Sequence, residues 1–293
     1  MNAIETSGLT KRFWRTQAVD DLSLSLPAGT VNVLIGANGA GKSTTLQLLL
    51  NLLRPSAGSS TLLGTESRHL GPALLQRIGY VSENLKHLEG LTVAGLMATW
   101  RPLYPTWDRD LEARLLHDFD LPPNRKLTKL SRGMTMKASL ASALAYRPEL
   151  LILDEPFSGL DPLTRDQLIE GLVQRVSEEG CTVLVSSHEI AEVETLADHI
   201  LWLDRGRLEL AEDAESLRAR FRRIEVPDEQ AAVPERALQI QSSGGRKRYI
   251  DPHFEAGEIS AAAQVTPMPI RDIFVTLLRE KNASSQPSLT PAV

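Results

Sequence analysis

The sequence predicts an α/β protein with a mainly parallel core sheet, and three observations predict it. The run Val31-Asn32-Val33-Leu34-Ile35 leads into Gly36-Ala37-Asn38-Gly39-Ala40-Gly41-Lys42-Ser43-Thr44 and then Leu46-Gln47-Leu48-Leu49-Leu50, a strand, a glycine-rich turn and a helix. Leu150-Leu151-Ile152-Leu153 is apolar throughout and ends in Asp154-Glu155, the pattern of a central strand covered on both faces. Thr182-Val183-Leu184-Val185-Ser186-Ser187 is another such strand, ending at His188. Strands of this kind alternating with helical stretches give right-handed crossovers and a parallel sheet.

At 293 residues the chain has room for one large α/β domain and a smaller appendage. Lys and Arg number 32 against 37 Asp and Glu, a net charge of -5, which argues against a protein that coats nucleic acid. One cysteine, Cys181, excludes an internal disulfide framework and suits a reducing cytoplasm. Met1-Asn2-Ala3-Ile4-Glu5 lacks the basic-then-apolar pattern of a signal peptide. No apolar run approaches the roughly 20 residues that span a bilayer, so any membrane role is expected through a partner.

Taken in order, residues 3–9 and 18–26 read as strands joined by turns. Between them Phe13 and Trp14 stand in a polar, basic loop. Either ring can stack on a nucleotide base or cap the core; stacking is the favoured reading for Phe13, and Trp14 is left between the two. The stretch 36–44 has the spacing G-x-x-x-x-G-K-[ST] of a phosphate-binding loop, whose glycines let backbone N–H groups converge on phosphate oxygens. The following helix dipole favours the same charge. Lys42 is expected to reach the β- and γ-phosphates of a nucleoside triphosphate, and the Ser43 hydroxyl to ligate Mg²⁺. The glycine order does not fit a dinucleotide fingerprint.

Short strand-like pieces follow to Leu63, then a strand from Ile78 with Glu83 at its end. From there to Leu127 the pattern is helical, with an amphipathic helix over 111–119 and aromatics expected to pack rather than bind ligand. Leu130-Ser131-Arg132-Gly133-Met134 opens a helix over 135–146, and a serine and glycine there make an anion-binding corner. Asp154 lies at the crevice edge where α/β sheets bind ligands, placed to hold Mg²⁺, and Glu155 is placed to polarise an attacking water. Ser158-Gly159-Leu160-Asp161 turns into a helix over 163–179. A lone histidine is usually structural, but His188 shares that edge and can hydrogen-bond a γ-phosphate. A helix over 189–197, a strand over 200–203 and a hairpin at 204–207 complete a domain ending near Leu217. The basic run 218–223 reads as a solvated face. Residues 218–281 carry three strand-like pieces and a helix over 270–281, and 282–293, rich in Ser, Pro and Ala, read as disordered.

In this order and spacing the motifs of residues 1–217 resemble those of an ATP-binding-cassette (ABC) ATPase. That resemblance implies a P-loop cassette with an N-terminal antiparallel β piece, a helical subdomain at about 84–146 and a small α+β C-terminal extension. It makes 36–44 the Walker A loop, 130–134 the signature loop, 150–154 the Walker B strand, Glu155 the catalytic carboxylate, 158–161 the D-loop and His188 the switch histidine. Phe13 falls where the family stacks adenine. ATP would be bound by Phe13, Gly36, Asn38, Gly39, Ala40, Gly41, Lys42, Ser43, Thr44, Ser131 and Gly133, and Mg²⁺ by Ser43, Glu83 and Asp154. Catalysis would fall to Glu155, His188 and Lys42.

Two departures stand out: Glu83 replaces the usual Gln, and Arg132 replaces the usual Gly of the signature. Both, with Tyr104-Pro105-Thr106-Trp107-Asp108, are similar to bacterial ABC-2 drug and antibiotic exporters. The resemblance further implies a homodimer in which each ATP lies between one chain's Walker A loop and the other's signature. It also implies a separate membrane permease and a cytoplasmic location on the inner face of the membrane. The alternatives are a soluble ABC ATPase acting on ribosomes or DNA, and an import cassette.

Overall fold

The computed structural model describes residues 1–83, 90–255 and 262–285. The first residues of the expected helical subdomain, 84–89, and the expected tail beyond 285 lie outside the described residues. The chain divides into Met1–Ala211 and Glu212–Val293.

In the first unit, β1 (Asn2–Phe13) and β2 (Thr16–Pro27) form an antiparallel hairpin. After β3 (Val31–Ile35), β1 also pairs antiparallel with β4 (Ala57–Leu62), which continues to the short β5 (Thr65–Glu66). The core sheet adds β6 (Ile78–Ser82), β7 (Leu150–Asp154), β8 (Thr182–Ser187), β9 (His199–Asp204) and β10 (Arg207–Asp213), in the order β10-β9-β3-β8-β7-β6. The pairs β6–β7, β7–β8, β8–β3 and β3–β9 are all parallel. Every residue of β3, β7 and β8 is buried, which is why these strands are apolar without alternation. Parallel strands point one way, so the carboxyl ends of β3, β6, β7 and β8 share one edge of the sheet.

The helices are α1 (Lys42–Leu49), α2 (Pro72–Leu75), α3 (Val93–Trp100), α4 (Arg109–Asp118), α5 (Arg132–Leu144) and α6 (Pro162–Glu179). Each of the last four starts on an oxygen that accepts a hydrogen bond from an orphan N–H: Thr92, Asp108, Ser131 and Asp161. Leu111, Leu115 and Phe119 bury the amphipathic face of α4 as its spacing predicts. Tyr104 stacks on Tyr146 with ring centroids 3.7 Å apart, and Trp107 donates to Glu112 at 2.7 Å, so these aromatics do pack.

Phe13 does not lie in a loop, because β1 runs to it, whereas Trp14, at φ 51, does lie in the hairpin turn. Phe13 is 41% and Trp14 99% exposed, so neither ring caps the core. The expected helix over 189–197 is a single turn, Ile190–Glu192. Ile190, Val193, Leu196 and Ala197 are buried at helical spacing, but the Ser187 hydroxyl donates to the Glu189 carbonyl and accepts from its N–H. That local bonding competes with a helix. At the C-terminal side, the helix expected to stop at 281 runs from Ile270 to Ser285, because the first proline after it is Pro287.

In the second unit, β11 (Arg222–Pro227), β12 (Leu238–Ser243), β13 (Arg246–Asp251) and β14 (Gln264–Pro267) form an antiparallel sheet in the order β12-β13-β11-β14. Helix α7 (Ala214–Arg220) packs with α8 (Ile270–Ser285). Ile224, Val226 and Tyr249 form its core. The basic run is not simply a solvated face: Phe221 is fully buried, and Arg220 makes a two-pronged ion pair with Glu212 at 2.7 and 2.8 Å.

Candidate active site

The carboxyl edge of the core sheet gathers the phosphate loop and the two acidic residues. The loop is held from below by the Gly36 N–H donating to the Ser187 carbonyl at 3.3 Å and by the Gly206 N–H donating to Ala40 at 2.8 Å. A Cβ at Gly36 would stand 2.4 Å from the Leu203 carbonyl oxygen, and one at Gly41, φ 106, only 2.2 Å from that of Ala18. No other residue fits either place. Asn38 and Gly39 at the crest are exposed, Ala40 is buried, and Ser43 and Thr44 sit in the first turn of α1, whose leading N–H groups have no intrahelical acceptor.

Lys42 is 5% exposed. Its ammonium donates to the Gly36 carbonyl at 2.6 Å and the Ala37 carbonyl at 3.3 Å, and lies 3.0 Å from Glu155 Oε1. The other oxygen of Glu155, Oε2, lies 2.8 Å from His188 Nδ1. The carboxylate thus bridges the Lys42 ammonium and the His188 ring. Burial works to raise the Glu155 pKa, but the His188 hydrogen bond and the Lys42 charge outweigh it and hold the group below the ordinary carboxylate range. The same hydrogen bond raises His188 above its usual value, against a smaller effect of burial.

Asp154, 4% exposed, accepts at Oδ1 from the Ser43 hydroxyl at 3.0 Å and from the Ser186 hydroxyl at 2.8 Å. Glu83 follows β6; its N–H donates to the Asp154 carbonyl at 3.0 Å, while its carboxylate is ion-paired with Arg132. Ser43, Asp154 and Glu83 offer only oxygen, the donor class that Mg²⁺ takes. The Ser43 hydroxyl and the Asp154 carboxylate, 3.0 Å apart, are thus a donor pair of the kind that fits Mg²⁺, whereas the Glu83 carboxylate is engaged by Arg132.

Ser131 accepts from the Met134 N–H at 3.2 Å as the cap of α5. Gly133 packs towards Thr164 and Leu160, with its Cβ position 3.2 Å from Thr164 Cγ2. Among the described residues no hydrogen bond joins Ser131 or Gly133 to the loop 36–44. Phe13 lies under the Lys11 ammonium, 5.0 Å from its ring centroid.

A family model described as ABC transporter matches residues 19–158. The chain is 36% identical over 261 residues to the daunorubicin/doxorubicin resistance ATP-binding protein DrrA of Streptomyces peucetius, covering 85% of this chain and 78% of that protein. It belongs to the ABC transporter family. The cassette is also 33% identical to the bacitracin transport ATP-binding protein BcrA of Enterococcus faecalis, over 70% of this chain and 67% of that one. A solved ATP-binding subunit of an ABC transporter superposes with a TM-score of 0.68 at 27% identity, over 74% of this chain and 92% of that one. The cassette is thus an ATP-binding subunit of a family whose members hydrolyse ATP, and its α/β architecture is theirs. Among the described residues no helix is long and apolar enough to cross a membrane.

The sequence reading passed over Ser186, and it treated Glu83 and Arg132 as separate departures. The serine pair that follows the apolar run 183–185 in a wholly buried strand was the available signal for Ser186. Nothing local links Glu83 with Arg132, 49 positions apart.

Proposed function

We propose that the cassette hydrolyses ATP at composite sites in a homodimer and thereby drives export through a separate membrane permease, to which it binds on the cytoplasmic side. The observation that carries the permease reading is an apolar groove of ≈ 310 Å³ beside the helical subdomain, lined among others by Leu50, Leu52, Leu75, Tyr80, Tyr104 and Tyr146. Leu52 and Leu75 are 61% and 42% exposed there, an apolar patch that suits a protein partner. The names of the relatives, drug resistance and bacitracin transport, support the exporter class.

In this reading the first-turn N–H groups of α1 and the glycine-rich loop bind the phosphates, and Phe13 stacks on the base. Lys42 exchanges its loop carbonyls for the β- and γ-phosphate oxygens and offsets their charge in the transition state. Bound Mg²⁺, held by Ser43 and Asp154 with Glu83 as a further oxygen donor, supplies additional neutralisation of phosphate charge. Glu155 takes a proton from water as the water oxygen bonds to the γ-phosphorus. The bond from that phosphorus to the bridging oxygen breaks, leaving ADP and phosphate. His188 holds the Glu155 carboxylate in place and is within reach of the γ-phosphate. Ser131 and Gly133 of a second copy close the site.

Purification of the tagged chain from detergent-solubilised membranes tests the partner. An integral membrane protein recovered in stoichiometric amount is expected; recovery with ribosomes or DNA instead would contradict the reading. The base has its own pH test. Because His188 favours the charged form of Glu155, His188→Ala raises the Glu155 pKa, and the acid limb of kcat/KM moves to higher pH. An acid limb that stays in place would remove Glu155 from the role.

A further inference from the structure

Ser186 is the penultimate residue of β8 and is fully buried. It is registered directly beside Asp154 of β7, and neighbouring residues in parallel strands point to the same face, so the serine side chain meets the aspartate. Its hydroxyl makes two hydrogen bonds of opposite sense. It donates to Asp154 Oδ1 at 2.8 Å and accepts from the Glu155 N–H at 3.0 Å. A backbone N–H only donates, so the hydroxyl accepts there and its own proton is left for Asp154 Oδ1.

The second bond falls where the chain is strained. Glu155 has φ 52, in the left-handed region that a non-glycine residue rarely adopts. This turn swings the Glu155 side chain away from the strand direction and towards Lys42 and His188. Its N–H has left the ladder of the sheet, and the Ser186 oxygen satisfies it. The other end of the same hydroxyl shares Asp154 Oδ1 with Ser43. One side chain therefore joins the residue proposed as metal ligand to the backbone that aims the residue proposed as base.

We propose that Ser186 is a positioning residue for hydrolysis, fixing Asp154 and Glu155 relative to one another through its single hydroxyl. An alanine leaves the Glu155 N–H without its acceptor and Asp154 without one donor, while the Lys42 bonds to the loop carbonyls of Gly36 and Ala37 remain. Turnover should suffer and nucleotide binding should not.

The experiment measures kcat, KM and the affinity for a fluorescent ATP analogue, with and without Mg²⁺, on the purified full-length chain. Ser186→Ala is expected to lower kcat about 10–100-fold, the range for losing a buried partner of a site residue, with KM and metal-free analogue affinity within about threefold of wild type. Ser186→Thr and Ser186→Val have nearly the same shape and differ in the hydroxyl. Thr should restore most of kcat and Val should not, and this pair decides the matter even where the alanine variant fails to fold. A wild-type kcat in Ser186→Val, or a Thr variant as slow as Val, would overturn the proposal. The proposal rests on Glu155 acting as base, which Glu155→Gln tests in parallel. An inactive Glu155→Gln beside a fully active Ser186→Val overturns Ser186 alone, whereas an active Glu155→Gln overturns the base itself.

Discussion

Glu155→Gln leaves ATP binding intact and lowers turnover by about 10²–10⁴-fold, the usual contribution of a positioned general base. Glutamine matches glutamate in shape, so the turn at φ 52 and the Ser186 bond to the backbone N–H persist. What changes is the chemistry of the two oxygens. In the native chain one faces the Lys42 ammonium at 3.0 Å and the other His188 Nδ1 at 2.8 Å. The amide keeps one acceptor and turns the other position into a donor. The arrangement that costs least puts the carbonyl on Lys42 and the NH₂ on His188, with the ring neutral and accepting at Nδ1. The variant should therefore also lose the upward pKa shift of His188, whose largest cause is the Glu155 hydrogen bond, a change visible by NMR titration of the ring. Phosphate release under saturating ATP reads the turnover. A loss of less than about tenfold would place the base elsewhere.

How much of this was legible in the sequence depended on how local each signal was. The phosphate loop and the acidic end of β7 could be read because glycine spacing and unbroken apolar runs are properties of consecutive residues. Their meeting at one edge followed from the parallel sheet. The contact of His188 with Glu155 follows the same logic, since β7 and β8 are adjacent, but the sequence pointed His188 at phosphate rather than at its neighbouring carboxylate. The pairing of Glu83 with Arg132 was not legible, because it joins the end of β6 to the start of α5 across 49 positions. The helix expected over 189–197 failed for the opposite reason. A true local periodicity was present, and the Ser187 hydroxyl bonds to Glu189 overrode it. Phe13 was misplaced because a hairpin needs only a two-residue turn, here Trp14 and Arg15, and no glycine marks it.

The central claim is that the loop 36–44 is half of a site completed by Ser131 and Gly133 of another copy. Two single variants isolate the halves. Lys42→Ala removes the buried ammonium that the loop carbonyls and Glu155 now hold, and with it the charge that phosphate would meet. Ser131→Asp keeps a strong helix cap on α5, because aspartate accepts the Met134 N–H as well as serine does. It also places a negative charge where a second chain's phosphate would approach. Each variant alone should lose about 10²–10³-fold in turnover, the cost of removing a group that stabilises transition-state charge.

The decisive measurement is the ATPase rate of an equimolar mixture of the two, combined before ATP is added. In a mixed dimer the Ser131→Asp chain contributes an intact loop and the Lys42→Ala chain an intact Ser131, so one whole site is rebuilt. Random pairing then predicts recovery of about a quarter of wild-type turnover, since half the dimers are mixed and each carries one of two sites. A mixture no faster than the sum of its parts would mean that the loop does not draw its second half from another chain.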